Sequence, residues 1–248
     1  MKTVAVANLK GGCGKTTTVL AMWNILTERQ GKSVLLVDND PQGNLSRTLG
    51  VYQKGNPGTV EMLQTGKPGT ITSLRNAGAK SGIMDCNLWM MAAADRAGSG
   101  GIENRYREAL RELEGEYEYC LIDNPPGIGI NVINALVAAD EVIIPVNLDN
   151  WSLDGLEELR RQLEELKKIA AWERMAVLVT DFEKTPHQEA AITWLRDYSK
   201  MKVFRTVIRH SRKTKDSTIF RLPVTQYSPR SGTATDYRKF IKEWEEEE

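Results

Sequence analysis

Apolar residues along this chain fall into short runs and longer runs that alternate. The short runs are apolar at consecutive positions, which is typical of strands buried on both faces of a parallel sheet. They cover residues 3–9, 33–38, 119–123, 141–148 and 175–180. The longer runs have apolar residues at helical spacing and cover residues 16–30, 101–113, 130–139, 153–171 and 188–200. This rhythm predicts an α/β fold with a doubly wound, mostly parallel sheet flanked by helices.

The stretch of residues 50–101 is rich in Gly and Pro and is the least regular part of the sequence. Within it we predict a short helix near residues 60–64 and a strand at residues 88–92. The sequence shows no internal repeat and no low-complexity linker. Its 248 residues are therefore predicted to form one domain, 1–248, in which 50–101 is an excursion and the acidic end, 244–248, is frayed.

The amino-acid composition argues against several classes of protein but does not identify one. The net charge is zero, so overall charge favours no class of partner. Cys13, Cys86 and Cys120 have no metal-ligand spacing, which predicts free thiols rather than a zinc site or a disulfide frame. No apolar run approaches the roughly 18 residues of a membrane span, and no leader pattern precedes the first strand. We therefore expect a complete, cytoplasmic protein.

A glycine-rich segment follows the first predicted strand and leads into the first predicted helix. It reads KGGCGKTT from Lys10 to Thr17. Its glycines allow a tight turn whose N–H groups, with the helix N-terminus, form a nest for polyphosphate. This context favours a nucleotide-binding loop over a merely flexible turn. The predicted nucleotide-binding residues are Gly11, Gly12, Cys13, Gly14, Lys15, Thr16 and Thr17.

Individual side chains of this loop have distinct predicted roles. Lys15 should reach the β- and γ-phosphates, Thr16 should ligate Mg²⁺ through its hydroxyl, and Thr17 should donate to the α-phosphate. One lysine is enough for the phosphates, so Lys10 needs another explanation, of which an ordinary solvated side chain is the simplest. Cys13 would place a thiol beside the phosphates, which could make activity sensitive to oxidation.

Three carboxylates stand at the ends of predicted strands. Asp123 follows an apolar strand and is placed to hold Mg²⁺ through water. Asp38 and Asp40 flank Asn39 at the end of another strand, where alternation puts both carboxylates on the same side. The competing interpretation is that one of them caps a helix that begins near residues 42–45.

The loop departs from the common pattern GxxxxGK[ST], because Leu9 occupies the place of its first glycine. The pattern KGGxGKTT instead resembles the deviant Walker A box of the ParA/MinD ATPase superfamily, and the remaining motifs resemble ParA. These are VLLVDNDPQGN at 34–44, YEYCLIDNPPG at 117–127, ADEVIIPVNLDNWSLDGLEEL at 139–159, and VFRTVIRHS with LPVTQYSPRSGTATDYRKF in the last third. The sequence departs mildly from the family pattern at three positions. Cys13 replaces the usual Val, Asn39 replaces an apolar residue, and Asn124 replaces Thr or another small residue.

The resemblance implies a set of roles and partners. ATP and Mg²⁺ would be the cofactors, with Thr16, Asp38 and Asp123 serving the metal. Asp40 would orient or deprotonate the attacking water, and Lys10 would cross a dimer interface to the other subunit's nucleotide. Catalysis would therefore rest on Lys10, Lys15 and Asp40 in an ATP-dependent homodimer. A ParB-like or adaptor protein would stimulate slow hydrolysis, and the cargo remains open between plasmid, chromosome and protein organelle.

The segment from Arg196 to Arg221 holds nine Lys or Arg against two Asp or Glu. A solvated charged surface is the ordinary interpretation of such a run. The ParA resemblance implies instead nonspecific DNA binding and a nucleoid-associated ATP state, since phosphate contacts carry no sequence information. The candidate DNA-binding residues are Arg205, Arg209, Arg212, Lys213, Lys215 and Arg221.

Two alternatives remain open at this point. One is a MinD-like, membrane-associated positioning ATPase, because Tyr237, Phe240, Ile241 and Trp244 give the last predicted helix an apolar stripe. The terminal glutamates argue against an anionic membrane, so we expect the stripe to pack on the domain. The other alternative is a nucleotide-gated binding module with negligible turnover.

Overall fold

The computed structural model describes most of the chain. The described residues are 1–74, 79–97, 101–148, 161, 164, 170, 172–198 and 201–246. The helix predicted over residues 153–171 falls almost entirely outside them.

Within the described ranges, eight strands form one sheet, and all neighbouring pairs but one are parallel. The strands are β1 (Lys2–Val6), β2 (Val34–Asp38), β3 (Thr72–Ser73), β4 (Ser81–Met84), β5 (Tyr119–Asp123), β6 (Glu141–Asn147), β7 (Arg174–Thr180) and β8 (Lys202–Val203). Their order is β3-β4-β2-β5-β1-β6-β7-β8, with β3 antiparallel to β4 at one edge. This topology confirms the predicted doubly wound, mostly parallel sheet.

Helices lie on both faces of this sheet. Those described are α1 (Lys15–Asn24), extended by a π-helical turn (Ile25–Arg29), α2 (Asn44–Thr48), α3 (Gly58–Thr65), α4 (Trp89–Ala97), α5 (Arg105–Arg111), α6 (Ile130–Ala138), α7 (Pro186–Tyr198), α8 (Arg212–Ile219), α9 (Val224–Tyr227) and α10 (Gly232–Glu246). The helices predicted at 16–30, 60–64, 130–139 and 188–200 are confirmed, apart from residues 199–200, which are not described. The one predicted at 101–113 is shorter.

The strand predicted at residues 88–92 is wrong. Those residues enter α4, in which Met90 and Ala93 are buried at helical spacing while Trp89 and Met91 are exposed. Met and Ala are strong helix formers, and they outweigh the apolar character of the run. The described strands of this region are β3 and β4, and β4 pairs in parallel with β2, which brings part of the 50–101 excursion into the main sheet.

Alternate residues of the central strands pack into two separate apolar layers. Leu36 and Leu121 face the layer that contains α1 and α10. Leu35 and Ile122 face the layer that contains α3, α5 and α6. Since both faces are covered, the strands are apolar at consecutive positions, as the sequence pattern requires.

The apolar stripe of the last helix packs on the domain, as expected. Trp244 is fully buried, and its Nε1 donates to Glu141 Oε2 at 2.7 Å. Phe240 meets Phe204 edge to face, with ring centroids 4.9 Å apart. The predicted frayed tail at 244–248 therefore starts too early, because α10 continues to Glu246.

Candidate functional site

A cavity of about 740 Å³ opens at the carboxyl ends of the parallel strands. In doubly wound sheets this edge is where ligands bind. All seven predicted nucleotide-binding residues, from Gly11 to Thr17, line the cavity, and so do Asp40, Asn124 and Thr180. At 740 Å³ the cavity falls within the range of small-molecule and cofactor sites.

The backbone of the phosphate loop requires glycine at two positions. Gly12 has φ 74° and Gly14 has φ 86°, both in the left-handed region that side chains disfavour. Gly14 also precedes the first residue of α1, so the loop turns directly into the helix N-terminus. The N–H groups of the loop and of the first helical turn are thereby gathered at one point, which suits a phosphate group.

Two residues that the sequence analysis did not select hold this loop in place. Asn8 accepts from the backbone N–H of Lys10 at 3.0 Å and donates to the carbonyl of Pro145 at 2.6 Å, which ties the loop to β6. Thr180, at the end of β7, donates to the carbonyl of Cys13 at 2.9 Å. Asn8 lies near the end of the apolar run at 3–9, and Thr180 ends the run at 175–180. A polar residue at the end of a predicted strand was therefore the sequence signal that could have found them.

The two loop lysines occupy different environments. Lys15 is buried, and its Nζ donates to the carbonyl of Lys10 at 2.7 Å and to that of Asn8 at 3.2 Å. Lys10 is exposed, and the lining of the cavity begins after it at Gly11. Lys15 therefore belongs to the interior of its own site, whereas the side chain of Lys10 lies at the protein surface.

Thr16 and Asp123 form the part of the site that suits a metal ion. The Thr16 hydroxyl donates to Asp123 Oδ2 at 2.7 Å. The other carboxylate oxygen, Oδ1, is buried and accepts no hydrogen bond from any described residue. Burial and the neighbouring Asp38 raise the pKa of Asp123 well above its usual range, which an added cation would reverse. A hydroxyl and an unsatisfied carboxylate oxygen fit the oxygen ligands that Mg²⁺ prefers.

The two carboxylates of the DND segment differ in their contacts. Asp38 is fully buried, and its Oδ2 accepts from the Ser46 N–H at 2.9 Å and from the Ser46 hydroxyl at 2.6 Å, which anchors α2. Burial raises the pKa of Asp38 to about 7. Asp40 lines the cavity, and its Oδ1 accepts from the Gln42 N–H at 2.9 Å. The helix-anchoring interpretation thus applies to Asp38, whose place in the metal shell stays a prediction.

The Cys13 thiol is buried and donates to the carbonyl of Lys10 at 3.3 Å. Burial raises its pKa, so the reactive thiolate is disfavoured. The structure therefore gives no support to the expected sensitivity to oxidation.

The six basic candidates for DNA binding are all exposed, and three of them line the nucleotide cavity. Arg209, Lys215 and Arg221 line the nucleotide cavity, and Arg209 is also paired with Asp236. The other candidates, Arg205, Arg212 and Lys213, are not among the residues that line the cavity. The candidates therefore differ in whether they line the cavity, which their proximity along the chain did not indicate.

Comparison with known proteins agrees with this geometry. A family model of an AAA domain matches residues 1–175. The chromosome-partitioning ATPase Soj of Thermus thermophilus is 34% identical over 250 residues, which cover 98% of this chain and 95% of that protein. The chain belongs to the ParA/Soj family of ATPases. The match extends over nearly the whole of both sequences, and it confirms the resemblance drawn from the sequence motifs.

The fold of this chain is also similar to the solved structures of two further proteins. A cobyrinic acid a,c-diamide synthase from Mycobacterium smegmatis, with bound ATP analogue and magnesium, has a TM-score of 0.81 and 26% identity, over 98% of this chain and 93% of its own. The ATP complex of McdA from Cyanothece has a TM-score of 0.80 and 24% identity, over 99% and 95% of the two chains. The McdA likeness confirms the fold.

Among the described residues, no helix combines the length and the apolar character that crossing a bilayer requires.

Proposed function

We propose that this chain is a partitioning ATPase that binds Mg²⁺ and ATP, dimerises around the nucleotide and then holds DNA without sequence specificity. Hydrolysis, stimulated by a ParB-like or adaptor protein, would release the DNA and move a plasmid, a chromosome or another cargo. The observation that carries the proposal is the Thr16–Asp123 contact beside a cavity that residues 11–17 of the phosphate loop line. Membership of the ParA/Soj family supplies the activity that this geometry supports.

The residues of the cavity suit phosphoryl transfer, which depends on positioning and charge neutralisation. The loop amides and Lys15 would hold the phosphates, and Thr16 with Asp123 would hold Mg²⁺. Bound Mg²⁺ would neutralise negative charge on the phosphates. Asp40 faces the cavity and would orient or deprotonate the attacking water.

Lys10 is the residue that makes dimerisation part of the proposal. Its side chain is exposed beside a loop whose residues 11–17 line the cavity, which is a position that a second subunit bound over the cavity would face. A cation delivered from the partner would stabilise charge on the transferring phosphate, as an arginine finger does. ATP would then join two subunits, because neither completes its site alone.

Light scattering in the presence of Mg²⁺ and ATP tests this role. We expect Lys10→Ala to keep ATP binding but to remain a monomer at concentrations where the unmodified protein dimerises. Lys54→Ala, at another exposed lysine, is the matched control and should dimerise normally. A Lys10→Ala protein that dimerises fully would remove Lys10 from the interface.

The exposed start of α8 is the part of the basic segment that best suits DNA. Arg212 and Lys213 are both exposed and stand in its first turn, where Ser211 caps the helix by accepting from the Lys213 N–H at 3.2 Å. Lysine and arginine contacts to phosphate give affinity that falls steeply with salt. The nucleoid would be the expected location of the ATP-bound form.

Fluorescence anisotropy with a random-sequence duplex tests the DNA face. Reversal of charge at Arg212 and Lys213 should abolish ATP-dependent binding at moderate salt, and each lost phosphate contact should flatten the salt dependence by about 0.9. The double reversal Lys54→Glu with Arg111→Glu, at two exposed cations outside the basic segment, is a control of the same charge change. Unchanged binding by the Arg212 and Lys213 variant would exclude this face.

A MinD-like membrane function has less support from the structure. The apolar stripe that would contact lipid is buried, including Tyr237 and Trp244. We therefore expect no ATP-dependent pelleting with anionic liposomes, and strong pelleting would favour the membrane alternative.

A further inference from the structure

A buried network of amide side chains joins the two loops that carry Asp40 and Asp123. Asn39 lies between Asp38 and Asp40, and Asn124 follows Asp123. The Asn39 Nδ2 donates to Asn124 Oδ1 at 2.7 Å, and both residues are almost completely buried. These are two of the positions at which the sequence departs from the ParA pattern, and the fold places them in direct contact.

The Asn39 side chain has a partner for each of its polar groups. Its Oδ1 accepts from the Tyr106 hydroxyl at 2.7 Å. Its Nδ2 also donates to the carbonyl of Asn131 at 3.1 Å, while Asn131 Nδ2 donates back to the carbonyl of Asn39 at 3.1 Å. A fully satisfied polar network in a buried setting fixes one arrangement of its members, because any other leaves polar atoms without partners.

Main-chain hydrogen bonds extend the network into the strands. The Asn39 N–H donates to the carbonyl of Asp123 at 2.9 Å. Asn124 reaches the end of β1, since its Nδ2 donates to the carbonyl of Val6 at 3.2 Å. The strand ends that support Asp40, Asp123 and the phosphate loop are therefore joined through these two asparagines.

We propose that Asn39 and Asn124 act as a paired positioning lock, which makes the Asp40 loop and the Asp123–Gly127 loop move as one unit. Tyr106, on α5, and Asn131, on α6, anchor the pair to the helical layer. Neither asparagine is required to touch the nucleotide in this role. The lock sets the position of Asp40 relative to the carboxylate of Asp123. Its expected effect on catalysis rests on the proposed ATPase function.

The lock predicts a specific effect on turnover. Asn39→Leu breaks the contact and leaves Asn124 Oδ1 without this donor, whereas Asn124→Thr breaks it and leaves Asn39 Nδ2 with the Asn131 carbonyl alone. We expect each to lower kcat for ATP about tenfold, while the Kd for a nonhydrolysable ATP analogue stays within about twofold. The double variant should be no slower than the slower single variant, because one shared contact is lost only once.

Hydrogen exchange measured by mass spectrometry gives a readout that does not depend on activity. In each single variant, amides of both loops, residues 38–42 and 123–129, should exchange about tenfold faster without nucleotide. Tyr106→Phe removes only the hydroxyl and should accelerate the same two loops to a smaller extent. Tyr117→Phe, at another buried tyrosine of the same layer, is the control and should accelerate neither.

The outcomes separate the lock from the proposed function. Acceleration confined to the loop that carries the substitution, or additive losses of kcat in the double variant, would overturn the lock. If a single variant loses stability throughout the sheet, Tyr106→Phe decides: acceleration of both loops supports the lock, and acceleration of one loop or of neither overturns it. If the unmodified protein hydrolyses no ATP, the proposed function fails, and the exchange experiment still decides whether the loops are coupled.

Discussion

The carboxylates at the strand ends and the cations of the basic segment, residues 196–221, are held in different ways. Asp38, Asp40 and Asp123 are buried and fixed by hydrogen bonds to neighbouring residues. The described candidates of the basic segment are exposed, and Arg205 and Arg209 form their ion pairs at the surface. A buried group acts through one defined geometry, so one substitution removes its function. Exposed cations act together, so each contributes little.

The largest effect that we predict is the loss of ATP hydrolysis on substitution of Asp40. Asp40→Ala should lower ATP hydrolysis by at least about 100-fold, because the group that orients or deprotonates the water is lost. Binding of ATP should change little, since the loop amides and Lys15 remain. Steady-state turnover with titration of a fluorescent ATP analogue measures both quantities.

Asp95→Ala, at an exposed carboxylate of α4, is the control for that experiment. If Asp40→Ala hydrolyses ATP normally, the carboxylate at the cavity is not the catalytic one. If it fails to bind nucleotide, its role is in the structure of the loop rather than in the reaction.

The next largest effect is a difference in ATP affinity between variants within the basic segment. Lys215 and Arg221 line the cavity, so Lys215→Ala and Arg221→Ala should weaken ATP binding by about tenfold each. Arg212→Ala and Lys213→Ala should leave ATP affinity unchanged and weaken DNA binding instead. Calorimetry with an ATP analogue and anisotropy with duplex DNA, applied to the same four proteins, compare the residues that line the cavity with those that do not. Equal effects of all four on DNA binding, with no effect on ATP binding, would contradict this difference and favour one common DNA surface.

A smaller effect concerns stability and pH. Burial raises the pKa of Asp38 to about 7 from its ordinary value of 3.8, so the folded chain retains a proton that the unfolded chain releases. Between these values the unfolded state binds fewer protons, and stability therefore falls as pH rises. From about pH 5 to about pH 8, the melting temperature without Mg²⁺ should fall by roughly 5 °C more in the unmodified protein than in Asp38→Asn.

Calorimetric melting curves of both proteins at low salt check this difference. Some decrease should remain in Asp38→Asn, because burial raises the pKa of Asp123 in the same direction. Parallel curves for the two proteins would contradict the raised pKa of Asp38.

The sequence predicted the parts of the molecule that depend on local chemistry. The glycines at positions 12 and 14 were predictable because the loop needs a left-handed backbone there. The sequence also placed Asp38 and Asp40 together at a strand end, but it could not separate their roles. That separation depends on Ser46, which the fold brings to Asp38 by placing α2 against the end of β2.

Features that depend on contacts between distant segments were not predictable. The run at 88–92 is apolar enough for a strand, and only packing against the sheet decides that Met90 and Ala93 form a buried helical face. Likewise, Asn39 and Asn124 are 85 positions apart, and their contact follows from the pairing of β2 with β5. The sequence pattern also did not predict α8, in which Lys213 and Lys215, two positions apart, lie on different faces.

The central claim is that the carboxylates at the strand ends control how long the cations of the basic segment stay bound to DNA. The rate of release from DNA tests this claim most directly. Protein is loaded onto labelled duplex with Mg²⁺ and ATP, excess unlabelled duplex is added, and anisotropy is followed. The unmodified protein should leave the DNA at the rate at which it hydrolyses ATP, whereas Asp40→Ala should stay bound. Release of Asp40→Ala at the unmodified rate would contradict the account.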